Sequence, residues 1–216
     1  PLMRHAPFFP APGNHDYYDT AAEPYFDFHD FPANPAAGRY YAFEWAGATF
    51  VSIDSNAPLE DPARRPAMLA WLDRTLAQSR NFWRVVFFHH PPFAAGPNQS
   101  DPISALVREH IVPVLDRHHV PLVFSGHEHS YQRTRPLGPG RTVYATSGGG
   151  GAAVYPVGDS PDIAAGAGVH HYLRCSLDGY RLQWEAVGLD GEPFDRFELH
   201  PRPRLSPAGA VNAASF

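Results

Sequence analysis

Pro121-Leu122-Val123-Phe124-Ser125-Gly126-His127-Glu128-His129 carries two signals in immediate succession. Residues 121–124 form a continuous apolar run too short for a helix, which reads as a strand buried on both faces. Gly126-His127-Glu128-His129 follows at its C-terminal end. In layered α/β folds, sites form outside those ends, where loops from neighbouring strands converge. Glycine lets the backbone turn sharply ahead of the first histidine. In extended chain the two imidazoles of a His-x-His point the same way, which suits ligands on adjacent metals.

The same arrangement occurs upstream. Residues 83–88 read as a second short buried strand, and His89-His90-Pro91-Pro92 follows it directly. A third cluster, Gly13-Asn14-His15-Asp16, lies near the start of the chain. Neutral imidazole is the preferred nitrogen ligand of zinc and iron, whereas an amide oxygen suits a harder ion. Each cluster alone has a plain reading: Asn-His-Asp as a polar turn, His-His-Pro-Pro as a strand end. Three of them, each where a site is expected, point to metal-assisted hydrolytic chemistry.

The rest of the chain reads as α/β. Residues 39–45 and 48–54 are β-rich runs joined by a hairpin at Ala46-Gly47. A helix starts at Asp61-Pro62, with Met68, Leu69, Leu72 and Leu76 at helical spacing. A second spans 103–118, its buried stripe holding Leu106, Val107, Ile111, Val114 and Leu115, with Pro113 expected to kink or divide it. Strands follow at 142–145, 171–176, 181–187 and 196–199, with a glycine-rich turn at 148–151. Helices alternating with buried strands, then an antiparallel run, argue for a layered sandwich.

Composition narrows the function. The 216 residues contain 13 histidines, and all 17 basic residues are Arg. With 44% apolar residues the chain can bury a core, which excludes wholesale disorder. A formal charge of −5 argues against a phosphate-backbone binder, so no nucleic-acid surface is expected. The single Cys175 excludes an internal disulfide framework and a cysteine-built zinc site. No apolar run approaches the ~20 residues of a membrane helix. The sequence carries no signal of oligomeric state.

Gly13-Asn14-His15-Asp16, His89-His90-Pro91 and Gly126-His127-Glu128-His129, in this order, resemble the last three motifs of the calcineurin-like metallophosphoesterases. Ser130-Tyr131-Gln132-Arg133 and Tyr144-Ala145-Thr146-Ser147-Gly148-Gly149-Gly150 narrow the resemblance to the purple acid phosphatase branch, and residues 189–199 are similar to its terminal strand. The resemblance runs from about residue 7 to 199. It implies a four-layer α/β-β/α metallophosphatase sandwich, here lacking its first strand-helix-strand portion. It also implies a two-metal site, iron with zinc or manganese, where Asn14, His89 and His127 ligate one ion and His129 the other. His15 then acts as general acid towards the leaving oxygen of a phosphate ester, attacked by a metal-bound hydroxide. Asp16 and His90 are expected to orient ligands, His90 alternatively to contact substrate.

One departure matters. In the family, two further motifs precede the Asn-His-Asp loop and supply the bridging Asp, a second Asp and the iron-binding Tyr. Nothing ahead of Gly13 matches them, and Asp54, Asp101 and Asp116 stand in no matching context. The expectation is therefore a catalytic domain over 1–200 that continues ahead of Pro1. A proline-rich linker over 201–216 is expected to lead into a further β-rich domain. The branch resemblance, the near absence of Cys and that linker suggest export from a bacterial cell.

The other histidines have simpler readings. His118 and His119 cap a helix end, and His170 and His171 open a strand, where His171 could reach the pocket. His5, His29, His110 and His200 read as surface residues. Tyr17, Tyr18, Tyr25, Phe26, Phe28 and Phe31 pack under a loop or wall the pocket, and Arg133 and Arg135 are expected in salt bridges rather than on phosphate. The expected function is that of a phosphomonoesterase. The alternatives are a phosphodiesterase or nucleotidase of the same superfamily, and a degenerate, non-catalytic binding module.

Overall fold

The computed structural model describes residues 5–18, 21–32 and 38–200; the linker expected at 201–216 lies outside them. A 3-10 turn, Asn14–Tyr17, precedes the short helix α1 (Glu23–Phe28). The hairpin strands β1 (Tyr40–Trp45) and β2 (Ala48–Ile53) pair antiparallel, Trp45 opposite Ala48. Ala46 and Gly47 both take positive φ, 50° and 76°, the backbone that two-residue hairpin loops require. Helices α2 (Ala57–Glu60) and α3 (Arg65–Gln78) lead to β3 (Trp83–Phe87).

The second long helix is divided, as Pro113 predicts. It runs as α4 (Pro102–Leu106), a π-helical turn at Val107–Ile111 and α5 (Val112–Arg117). Proline lacks the donor for an ordinary helical bond, and the wider turn just before it absorbs the mismatch. Then come β4 (Leu122–Ser125), β5 (Tyr131–Thr134), β6 (Val143–Ser147) and β7 (Ile163–Ala167). The chain ends in β8 (His171–Asp178), β9 (Arg181–Gly188) and β10 (Pro193–Leu199).

The strands form two sheets. Seven strands stand in the order β1-β2-β3-β4-β6-β5-β7 and three in the order β10-β9-β8. Neighbours among β2, β3, β4 and β6 pair parallel, so their C-terminal ends share one edge. Their side chains alternate between two cores even where the sequence is apolar throughout. Val51, Val86, Val123 and Tyr144 face the helices and pack with Met68, Leu72, Leu76, Ile111 and Leu115. Ala48, Val85, Leu122, Val143 and Ala145 face the small sheet and pack with Leu182 and Trp184. Burying a Leu or Val side chain stabilises by about 1.5–3 kcal/mol, so these two cores hold the layers together.

Among the described residues the layers are helices, large sheet and small sheet. Tyr131 and Arg133 on β5 reach Asp195 on β10, with the Arg133 Nε 2.8 Å from its carboxylate, so Arg133 makes the expected salt bridge. Arg135 instead donates to the Pro161 carbonyl at 3.2 Å. Strands β5 and β7 were not expected from the sequence. The first overlaps the polar end of a motif, and the second, Ile-Ala-Ala-Gly-Ala, lacks the β-branched and aromatic residues that mark strands.

Candidate metal centre

The parallel edge brings together the residues that follow three strands. Asp54, Ser55 and Asn56 follow β2, His89 and His90 follow β3, and Gly126 and His127 follow β4. Pairing continues past the strands: Phe88 N–H donates to the Phe124 carbonyl at 3.1 Å and Gly126 N–H to the His89 carbonyl at 3.0 Å. That fixes His89 beside His127. His127 itself takes φ 65°, a left-handed turn away from the strand direction.

The loop carrying Asn14 is tied down from beneath. Asn56 donates through Nδ2 to the Pro12 carbonyl at 3.1 Å, and the Tyr17 hydroxyl donates to the Asp54 carboxylate. Arg39 donates to the Tyr17 oxygen at 2.6 Å. Asp54 is fully buried; its other oxygen accepts from the Asn56 backbone and side chain, both at 2.9 Å. Asp16 accepts from Gly13 N–H at 2.7 Å, so it shapes the loop rather than touching a ligand. A Cβ on Gly13 would stand 2.9 Å from the His89 ring, so only glycine lets the loop approach so closely.

Three donor atoms converge. Asn14 Oδ1 lies 2.8 Å from His89 Nε2, which lies 3.2 Å from His127 Nδ1. Such spacings match the ~3 Å edges of a coordination shell built on metal–nitrogen bonds of about 2.1 Å. His127 Nε2 faces Asp101 Oδ2 at 3.1 Å. A donor atom from each of His89, His90 and His127 falls within 4.8 Å of the others. His90 Nδ1 is paired with Ser55 Oγ at 2.9 Å, and its Nε2 lies 3.9 Å from Asp101. A cleft of about 490 Å³ opens over Asn14, His90, Asn98, Asp101, Ile103 and His127.

The electrostatics favour neutral imidazoles. Burial pushes the His89 pKa down to about 3, helped by repulsion from His90, His127 and His15. Burial and then His127 push His90 down to about 3. His127 is also lowered by burial, against the opposing pull of Asp101 and Glu128. Neutral imidazole is the form that ligates a cation.

His129 stands apart from this cluster. Its Nδ1 lies 3.1 Å from the Ala153 carbonyl, which can only accept, so Nε2 keeps the lone pair and could hold a metal. Its ring stacks on Tyr155 at 5.4 Å. His15 is exposed, edge-on to Tyr18 at 5.0 Å. Between the two histidines of the motif, Glu128 is fully buried and accepts from Asn98 N–H at 2.8 Å, anchoring one wall of the cleft.

Asp101 belongs to the site, although its sequence context gave no reason to place it there. The usable signal was Asp101-Pro102, a helix-capping pair following the His89-His90 loop. Asp116 instead accepts from Gly140 N–H at 3.0 Å, and His118 pairs with Asp73 at 2.9 Å. His171 is wedged at the sheet edge, 3.0 Å from Ser147 Oγ. Part of the aromatic run is packing: Tyr25 and Phe26 gather with His29 around Phe31, which meets Tyr41, whereas Tyr18 and Phe28 are exposed.

The sequence model of the calcineurin-like phosphoesterases matches residues 1–131. Purple acid phosphatase 18 of Arabidopsis thaliana is 30% identical over 120 residues, covering 52% of this chain and 26% of that protein. Purple acid phosphatase 21 of the same plant is 26% identical over 159 residues, covering 67% of this chain and 36% of that protein. The chain thus spans about a quarter to a third of these relatives' length. Purple acid phosphatase PPD1 from yellow lupin seeds superposes with a TM-score of 0.72 at 17% identity, covering 88% of this chain and 37% of that one. GAP50, described as the anchor in the inner membrane complex of Plasmodium, gives 0.62 at 15% identity, covering 76% and 54%.

Proposed function

The chain belongs to the calcineurin-like phosphoesterase family, a family of metal-dependent phosphoric ester hydrolases, and we propose that it acts on phosphomonoesters at a two-metal centre. The observation that carries this reading is the convergence of Asn14 Oδ1, His89 Nε2 and His127 Nδ1 at one edge of the sheet. These three atoms hold one cation, and His129 offers its Nε2 to the second. Iron paired with zinc or manganese is the metal content of this reading, which the purple acid phosphatase relatives support. Bound cations supply Lewis acidity, lowering the pKa of a coordinated water and neutralising phosphate charge.

The chain's own residues do the rest. His15, exposed on the rim of the loop that carries Asn14, donates a proton to the leaving oxygen. Positioned general acids contribute about 10²–10⁴-fold. Ser55 holds His90 by its Nδ1, which leaves Nε2 on the side of Asp101 at the cleft lining, for contact with substrate. Among the described residues no helix is long and apolar enough to cross a membrane. Export from a bacterial cell is part of the proposal, supported by the single cysteine.

Hydrolysis of p-nitrophenyl phosphate and of its bis-ester, with Fe, Zn or Mn supplied, tests this. Preference for the monoester is expected, and preference for the diester points to a phosphodiesterase. A fold neighbour described as an anchor supports a second reading, a non-catalytic binding module. Failure to hydrolyse either ester in the presence of bound metal favours that second reading.

A further inference from the structure

His127 has two ring nitrogens with different neighbours. Nδ1 faces His89 Nε2 at 3.2 Å and through it Asn14, whereas Nε2 faces Asp101 Oδ2 at 3.1 Å. A carboxylate can only accept, so the nitrogen facing it carries the ring proton. Nδ1 then keeps a lone pair, directed at the Asn14–His89 pair. We propose that Asp101 is the positioning residue that fixes the tautomer of His127, presenting Nδ1 as a metal ligand.

Asp101 is built to hold that orientation. Its Oδ1 accepts from Ile103 N–H at 2.9 Å, capping α4, and Pro102 rigidifies the first helical position. One oxygen is thereby committed to the helix and the other to His127. The pair is sheltered, with side-chain exposures of 13% for His127 and 16% for Asp101. His90, the competing imidazole, is 3.9 Å from the same oxygen, beyond hydrogen-bond reach, and Ser55 already engages its Nδ1. Carboxylate partners of ligating histidines fix ring orientation and raise ligand basicity, and their loss typically costs 10–100-fold in metal affinity.

This inference rests on Asn14, His89 and His127 holding a cation, and its test separates the two. Asp101→Asn retains an oxygen for the Ile103 cap but turns an amide N–H towards His127 Nε2. That forces the ring proton onto Nδ1 and blocks it as a ligand. Asp101→Ser keeps a good cap and removes the carboxylate altogether. Titration of the metal-free protein with Co²⁺ would give affinity and coordination spectrum, and ¹⁵N NMR of the imidazoles would give the tautomer.

The expected result is a roughly 10–100-fold affinity loss in both variants, with melting temperatures near that of the parent. Asp101→Asn should also move the His127 proton from Nε2 to Nδ1. Unchanged affinity, or lost affinity with the tautomer unmoved, overturns the role given to Asp101. His127→Ala reports on the premise: if it binds Co²⁺ as tightly as the parent, the metal site is elsewhere and both assignments fall together.

Discussion

Asn14 Oδ1 and His89 Nε2 stand 2.8 Å apart across 75 positions of sequence, one on a surface loop and the other at a buried strand end. No helix or strand pairing enforces that approach. It is held by Asn56 on Pro12, Tyr17 on Asp54, and a glycine at position 13. If both atoms serve one cation, Asn14→Ala should weaken Zn²⁺ binding by at least the ~10–100-fold that losing an outer partner costs. Titration calorimetry measures this, and affinity within twofold of the parent would remove Asn14 from the ligand set.

How much of this was visible in the sequence depends on the range over which each feature is determined. The strand-then-histidine units at 83–90 and 122–127 were legible because burial and turn chemistry are local, and Pro113 marked the divided helix for the same reason. Asp101 was not legible: it lies on a different loop and reaches His127 only through the tertiary packing of α4, whose Ile103 and Leu106 join the helix-side core. Asp54 was missed likewise, since only the fold shows it buried beneath Tyr17. Strands β5 and β7 owe their conformation to pairing with each other and with β6, a tertiary effect that overrides weak local propensity.

Tyr17→Phe tests the support beneath the loop. The buried Asp54 carboxylate would lose its hydroxyl donor, leaving Asn56 and an Arg39 contact at 3.5 Å. An unmatched buried acceptor costs about 1–3 kcal/mol, and each kcal/mol lowers the melting temperature of a protein this size by roughly 2–4 °C. Calorimetry should show that drop, and Zn²⁺ affinity should fall with it because the Asn14 loop loosens. An unaltered melting curve would mean that Arg39 and Asn56 alone hold Asp54.

Gly148→Ala should be the most damaging glycine substitution near the site. An added Cβ would fall 1.9 Å from the Glu128 carbonyl oxygen, so backbone must move. Overpacking of this kind costs about 1–3 kcal/mol, and the displaced segment is the one between His127 and His129. Gly150→Ala is the control, since nothing lies within 4 Å of its added Cβ. Denaturant midpoints of the two variants should separate clearly.

Without added metal, stability should decline as the solution is acidified. Above about pH 6.5 His89 and His90 are neutral in both folded and unfolded chains and contribute no pH dependence. Below it the unfolded chain binds their protons, while the folded one resists until about pH 3. Stability is therefore lost between those limits, by up to about 1.4 kcal/mol per pH unit for each histidine. Unfolding by urea at pH 7, 6 and 5 measures the slope, and His90→Gln should reduce it by about one histidine's share.

His15→Gln separates proton donation from metal binding. The His15 ring is exposed and touches Tyr18 rather than the cluster, so Zn²⁺ affinity and melting temperature should match the parent. Turnover should fall by about 10²–10⁴-fold if His15 protonates the leaving oxygen. The loss should also depend on the substrate. A p-nitrophenolate departs readily without a proton, whereas an alkoxide does not, so the deficit should be larger for an alkyl phosphate than for p-nitrophenyl phosphate. An equal deficit on both substrates would place His15 in phosphate binding instead of proton transfer.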